Sequence, residues 1–209
     1  MTRFIRPLVI AAILHIGLSA SRAEAAPVIL GANESITFDV IWSQLVGTTE
    51  LRALGLVTVQ VHDSSIDFVF TITNQTALWN ERIHGIGFST DPNATGLSNI
   101  DPGTYFQNFA LNSTFPGFQT IDVCAWTTNN CSGGPQGNNL PGMGTTDTFG
   151  FTLNGNFSSG VVLDQFVIQF MGDLGSYQFV GRVPEPATLM LFGMGLLGTA
   201  IGMRRRRRN

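Results

Sequence analysis

The chain contains no lysine, two cysteines and three histidines, and only 12% of its 209 residues are charged. Each shortage excludes something. So little charge, beside 44% hydrophobic residues, fits neither a disordered segment nor a coiled coil. The eleven basic residues are all arginine, and their placement does not suit nucleic-acid binding: five stand together at 204–208 and three more at 3, 6 and 22. Between Pro27 and Val183 only Arg52, Arg82 and Arg182 stand against twelve acidic residues, a balance near −9. Such a body attracts neither phosphate, nucleic acid nor anionic lipid by charge. It also lacks stretches of 3.6-residue period, which argues against a helical body. What it has instead is 24 Gly, 16 Phe and repeated alternation of apolar and polar residues. One domain of ordinary size is the default for this length.

The two ends read as targeting segments. In residues 1–25, Arg3 and Arg6 precede an apolar core from Pro7 to Leu18, and Ala23-Glu24-Ala25 is a small-x-small cleavage site. That is a secretory signal peptide, its core too short for a comfortable membrane span. At the other end, residues 187–203 hold 17 residues without a charge. As a helix at ~1.5 Å per residue they reach about 25 Å, enough for a thin bilayer. Arg204, Arg205, Arg206, Arg207 and Arg208 follow at once, a stop-transfer run that stays on the cytoplasmic side. Gly198 and Gly202 fit a small-xxx-small packing motif, although glycines also simply loosen a helix. Before this segment stands Val183-Pro184-Glu185-Pro186. Two prolines around a glutamate cannot continue a strand or a helix interior, so the stretch is stiff, extended and accessible.

Val183-Pro184-Glu185-Pro186-Ala187, then a glycine-rich apolar segment, then an arginine run, resemble the PEP-CTERM sorting signal of Gram-negative bacteria. The same tail is also labelled an ice-binding protein C-terminal domain. The resemblance covers about 25 residues of the tail, 183–209. It implies recognition at Pro184, Glu185 and Pro186 by an exosortase, a membrane cysteine transpeptidase. It also implies transient anchoring in the inner membrane, followed by release to the cell surface or an exopolysaccharide matrix.

The body, 26–182, reads as all-β. Val57, Val59 and Val61 alternate with polar neighbours, as do Ile66, Phe68, Phe70 and Ile72, with Asp63-Ser64 between them as a turn pair. Phe149, Phe151 and Leu153 form another alternating set, and Val162, Phe166, Ile168 and Phe170 a further one. Shorter candidates are 36–42, 83–90, 118–125 and 177–182, for eight or nine strands in all. Residues 42–54 have room for one or two helical turns. Residues 91–117 and 127–146 read as long connections, of the kind that is functional or mobile in a compact domain. The expected architecture is an antiparallel β-sandwich, jelly-roll-like, with an immunoglobulin-like sandwich or a β-solenoid as alternatives. A solenoid should show a fixed repeat, and none is visible.

Candidate functional residues are few. Cys124 and Cys131, in an exported chain, point to a disulfide that closes a small loop. A metal site would need further ligands that no nearby His supplies. The stretch from Cys124 to Gly134, with Leu140-Pro141-Gly142 after it, is similar to PEP-CTERM proteins carrying one such pair, the cistern family, which implies no particular activity. Trp126, inside the loop and close to Asn129 and Asn130, is the best candidate for stacking on a sugar; Trp42 and Trp79 read as core. Asp91, Asn93, Thr95 and Asp101 form a weak calcium candidate: the loop begins like an EF-hand, but Pro102 stands where the bidentate Glu should be. His62-Asp63-Ser64-Ser65 holds triad residue types, but strand neighbours point to opposite faces. There is no Gly-x-Ser-x-Gly elbow. Asp63 and Asp67, and the scattered Asp39, Asp164 and Asp173, form no acid pair of the kind glycoside cleavage needs. Ice binding would call for regular Thr-x-Thr ranks, and Thr71-Ile72-Thr73 is a single one. The expectation is therefore an exported, exosortase-sorted surface or matrix protein with a structural or adhesive role, without catalysis, cofactor or nucleic-acid partner. The alternative is a glycan-binding module that holds exopolysaccharide.

Overall fold

The computed structural model describes residues 26–184, apart from 119, 135 and 136. The signal peptide, Glu185, Pro186, the apolar segment 187–203 and Arg204 to Arg208 lie outside the described residues. The body is all-β, with eleven strands: β1 (Val28–Leu30), β2 (Ser35–Val46), β3 (Thr49–Val61), β4 (Ser65–Asn74), β5 (Arg82–Asp91), β6 (Gly96–Asp101), β7 (Asn108–Thr114), β8 (Thr120–Trp126), β9 (Thr145–Asn154), β10 (Val161–Gly172) and β11 (Gly175–Val180). They form two antiparallel sheets. One runs β1-β10-β5-β8-β7, with β11 also on β10; the other runs β2-β3-β4-β9-β6.

Alternation builds the contact between them. Val57, Val59 and Val61 of β3 and Ile66, Phe68, Phe70 and Ile72 of β4 are buried on one face. Phe149 and Phe151 of β9 stack beside Phe68 and Phe70. From the opposite sheet Phe88 closes on Phe68, Phe70 and Phe151, and Phe166 on Phe88 and Phe38. Ring centroids 5.2–5.7 Å apart across the gap, as for Phe88 with Phe68 and Phe70, are those of favourable aromatic pairs. The outer face of the five-stranded sheet carries threonines that pair across strands: Thr37 with Thr58, Thr71 with Thr148 and Thr73 with Thr146, with hydroxyls 2.9–3.0 Å apart.

Several expectations need correction. Residues 42–54 hold no helical turn: β2 runs on to Val46, and β3 returns from Thr49 after Gly47-Thr48. Gly47 has φ 59°, as the first central position of a type II′ hairpin turn requires. The connection 91–117 contains β6 and β7, whose polar sequences hid them. Val162 does not share a face with Phe166. Val161 and Leu163 are the buried residues, and a bulge at Asp164–Gln165, with Gln165 at φ 50°, flips the parity before Phe166. Trp42 is core, its indole N–H donating to the Phe166 carbonyl at 3.0 Å. Trp79 is not: it is 51% exposed.

If the phenylalanine layer holds the sheets together, Phe70→Ala should cost about 3–5 kcal/mol. Val69→Ala, one residue along but on the open face, should stay within about 0.5 kcal/mol. Urea unfolding followed by tryptophan fluorescence measures both. Equal midpoints for the two variants would remove the layer from that role.

Candidate functional site at the loop end of the sandwich

The strand directions sort the connections into two ends. The loops 47–48, 75–81, 102–107, 127–134, 137–144 and 173–174 gather at one end, while 31–34, 62–64, 92–95, 115–118 and 155–160 lie at the other. Trp126, Asn129 and Asn130 belong to the first, the loop end.

Cys124, near the close of β8, and Cys131 stand at disulfide distance, with Cα atoms 6.3 Å apart. Both are buried with Phe115, Ile121 and Val167 in a second, smaller cluster against which Phe118 and Trp126 pack. This cluster covers the outer face of the six-stranded sheet. Gly87 makes room for it: a Cβ there would collide with the Ile121 side chain. The disulfide loop is thus a lid on that sheet. Trp126 is half-buried in it, and its indole N–H donates to the Asn129 carbonyl at 3.2 Å. Asn129 and Asn130 are exposed.

Beneath this loop lies a polar network that sequence reasoning missed. His84 is the extra residue of a β-bulge: Gly85 pairs with Gln169, yet Ile83 pairs with the adjacent Phe170. The bulge turns the ring toward the disulfide loop, where it is fully buried. Its Nε2 donates to the Asn130 carbonyl at 2.9 Å, and its Nδ1 faces the Asn139 amide at 3.4 Å. The hydroxyls of Thr127 and Thr128 reach the same amide. Asn74, also fully buried, donates to the Glu81 and Leu140 carbonyls at 2.8 and 3.1 Å. Asp147 of β9 accepts the N–H groups of Thr104, Tyr105 and Phe106 at 2.8–2.9 Å, so Tyr105 sits in a loop held by that carboxylate. One signal was available: alternation with Phe149 places Asp147 on the inward face, and an inward carboxylate needs partners.

The other candidates do not converge. Asp91 pairs with Val162 at the far end of the sandwich, and Thr95 is tied to the Asn154 carbonyl there. Asp101 lies at the opposite end of β6, five residues or about 17 Å from Gly96. The weak calcium set Asp91, Asn93, Thr95 and Asp101 is therefore split between the two ends. Among the described residues no group of three or more His, Cys, Asp or Glu gathers. His62 meets Asp67 at 3.1 Å on the exposed sheet rather than its neighbour Asp63.

The tail is rooted elsewhere. Ile41 and Arg182 exchange two backbone hydrogen bonds of 2.9 Å, Gly181 N–H donates to the Phe166 carbonyl at 2.7 Å, and Trp42 packs on Gly181. Pro184 is exposed two residues beyond that clamp. Residues 182–207 match the PEP-CTERM protein-sorting motif. No curated protein and no solved structure matches the chain.

The Cys124–Cys131 bridge closes a loop of about 8 residues, worth ~2.5 kcal/mol of loop entropy. Cys124→Ser should lower the unfolding midpoint accordingly and speed amide exchange from Ala125 to Gly144. Two reactive thiols in wild-type protein taken from the periplasm would contradict the bridge.

Proposed function

We propose that this is an exported protein, processed by an exosortase and delivered to the surface or exopolysaccharide matrix of a Gram-negative bacterium, where its sandwich has a structural or adhesive role. We assign it no catalysis. The observation that carries this reading is the sorting motif at 182–207, joined to the folded body without a linker. Residues 1–25 supply export, residues 187–203 the transient inner-membrane anchor and Arg204 to Arg208 the stop. The strand orders β1-β10-β5-β8 and β4-β9-β6 support a jelly-roll-like sandwich. Arg182 runs antiparallel to β2 at Ile41, so the tail leaves away from the loop end. The loop end would then face outward from the membrane, where partners are met.

A second reading, a glycan-binding module of the matrix, has one observation in its favour. Trp79 is half exposed on a loop held to the neighbouring one by Gly142 N–H to the Trp79 carbonyl at 3.2 Å and Met143 N–H to the Thr76 carbonyl at 2.7 Å. An aromatic on an already ordered loop loses little entropy on stacking. Trp126, with Asn129 and Asn130, is the other contact to test.

Glu185→Ala should leave full-length protein in the inner membrane; mass spectrometry finding residues 187–209 on the secreted product would reject processing. For the second reading, retention on the cell's own exopolysaccharide should fall with Trp79→Ala or Trp126→Ala and resist moderate salt, because an acidic body holds no acidic glycan by charge. Unchanged retention in both variants leaves the structural role alone.

A further inference from the structure

At the loop end, beside Trp79, a carboxylate lies fully buried without a counter-charge. Glu81 is 0% exposed. Its Oε1 accepts the N–H of Leu174 at 2.9 Å, in the Asp173-Leu174 turn between β10 and β11. Its Oε2 has no hydrogen-bond partner. Among the described residues the one ion pair within 4.0 Å is His62–Asp67, so no arginine sits on Glu81. Burying a carboxylate this way is costly unless something positive meets it.

The surroundings are oxygen. Oε2 and the Asn80 carbonyl oxygen lie together over Gly172, where a Cβ would collide with both. Asp173, next along the turn, is exposed, and its Oδ2 is held by the Asn80 amide at 2.9 Å. Glu81 thus forms a floor and Asn80 and Asp173 a rim that is open to solvent. Two carboxylates and a backbone carbonyl, with waters completing the shell, are the donor set of a hard divalent cation.

We propose that Glu81, Asp173 and the Asn80 carbonyl bind a calcium ion, which pins the β10–β11 turn to the loop that carries Trp79. This is separate from the residues around Asp91, at the other end of the sandwich. With only two carboxylates the affinity falls in the weak range of extracellular modules, Kd about 10⁻⁴–10⁻³ M. In an exported protein the ion is met only after the body leaves the cytoplasm.

The test is thermal unfolding of the full chain in mild detergent, in EGTA and with calcium chloride at about ten times that Kd. Wild type should gain about 3–6 °C with calcium. Glu81→Gln, which keeps shape and loses charge, should lose the gain, and Asp173→Asn should weaken calcium binding several-fold by calorimetry. No gain in wild type, or the same gain in Glu81→Gln, overturns the site. Equal gains from magnesium at matched ionic strength also overturn it, as general screening of an acidic body. If Glu81→Gln fails to fold, the exposed Asp173→Asn and the wild-type calorimetric titration decide the question.

Discussion

Phe68, Phe70, Phe88, Phe149, Phe151 and Phe166 meet in one layer between the two sheets, and that contact dictates where everything else can go. An aromatic layer needs a large, charge-free face on each sheet, and the strands supply it by alternation, reset at the bulges in β5 and β10. Charge is therefore driven to the open faces and the ends. The Thr pairs of the five-stranded sheet satisfy one another on the open side and add no charge there.

The ends follow different rules. At the loop end, order comes from buried polar side chains rather than from regular structure. Asp147 gathers three N–H groups, Asn74 joins the 75–81 loop to Leu140, and His84 ties the disulfide loop to the sheet below it. A low-dielectric site makes each such bond strong and each missing one costly. The result is a preorganised surface on glycine-rich loops that composition alone would leave loose. Glu81 stands out in this company as a buried carboxylate with one oxygen unmatched, whereas both oxygens of Asp147 accept N–H groups.

The tail root obeys a third constraint. β2 is an edge strand, and an edge can pair with whatever follows it. Arg182 does pair with Ile41, but Pro184 has no N–H to extend the ladder. The motif therefore starts where sheet pairing must stop, within two residues of the body. Its first proline removes the N–H that further pairing along β2 would need.

Local chemistry made part of this legible. Alternation at 57–61 and 66–72 around Asp63-Ser64 determined a hairpin, because side-chain period and turn preference act over a few residues. Proline, apolar length and the arginine run made the sorting motif at 182–207 legible for the same reason, and two antiparallel sheets followed from the number of half-apolar strands. β6 and β7 were not legible: Gly96–Asp101 and Asn108–Thr114 have weak patterns and become strands only because β9 and β8 offer them edges. The bulges at His84 and Gln165 flip which residues face inward, and nothing in the chain nearby announces them, since a bulge is defined by its partner strand. Thr71 and Thr73 gained a matching rank in Thr148 and Thr146, 73 or more residues away, through register alone. The tertiary structure alone decided which carboxylates are buried. It separated Asp101 from Asp91 and joined Glu81 to the Asp173 turn, because proximity between distant segments is set by sheet order and not by spacing along the chain.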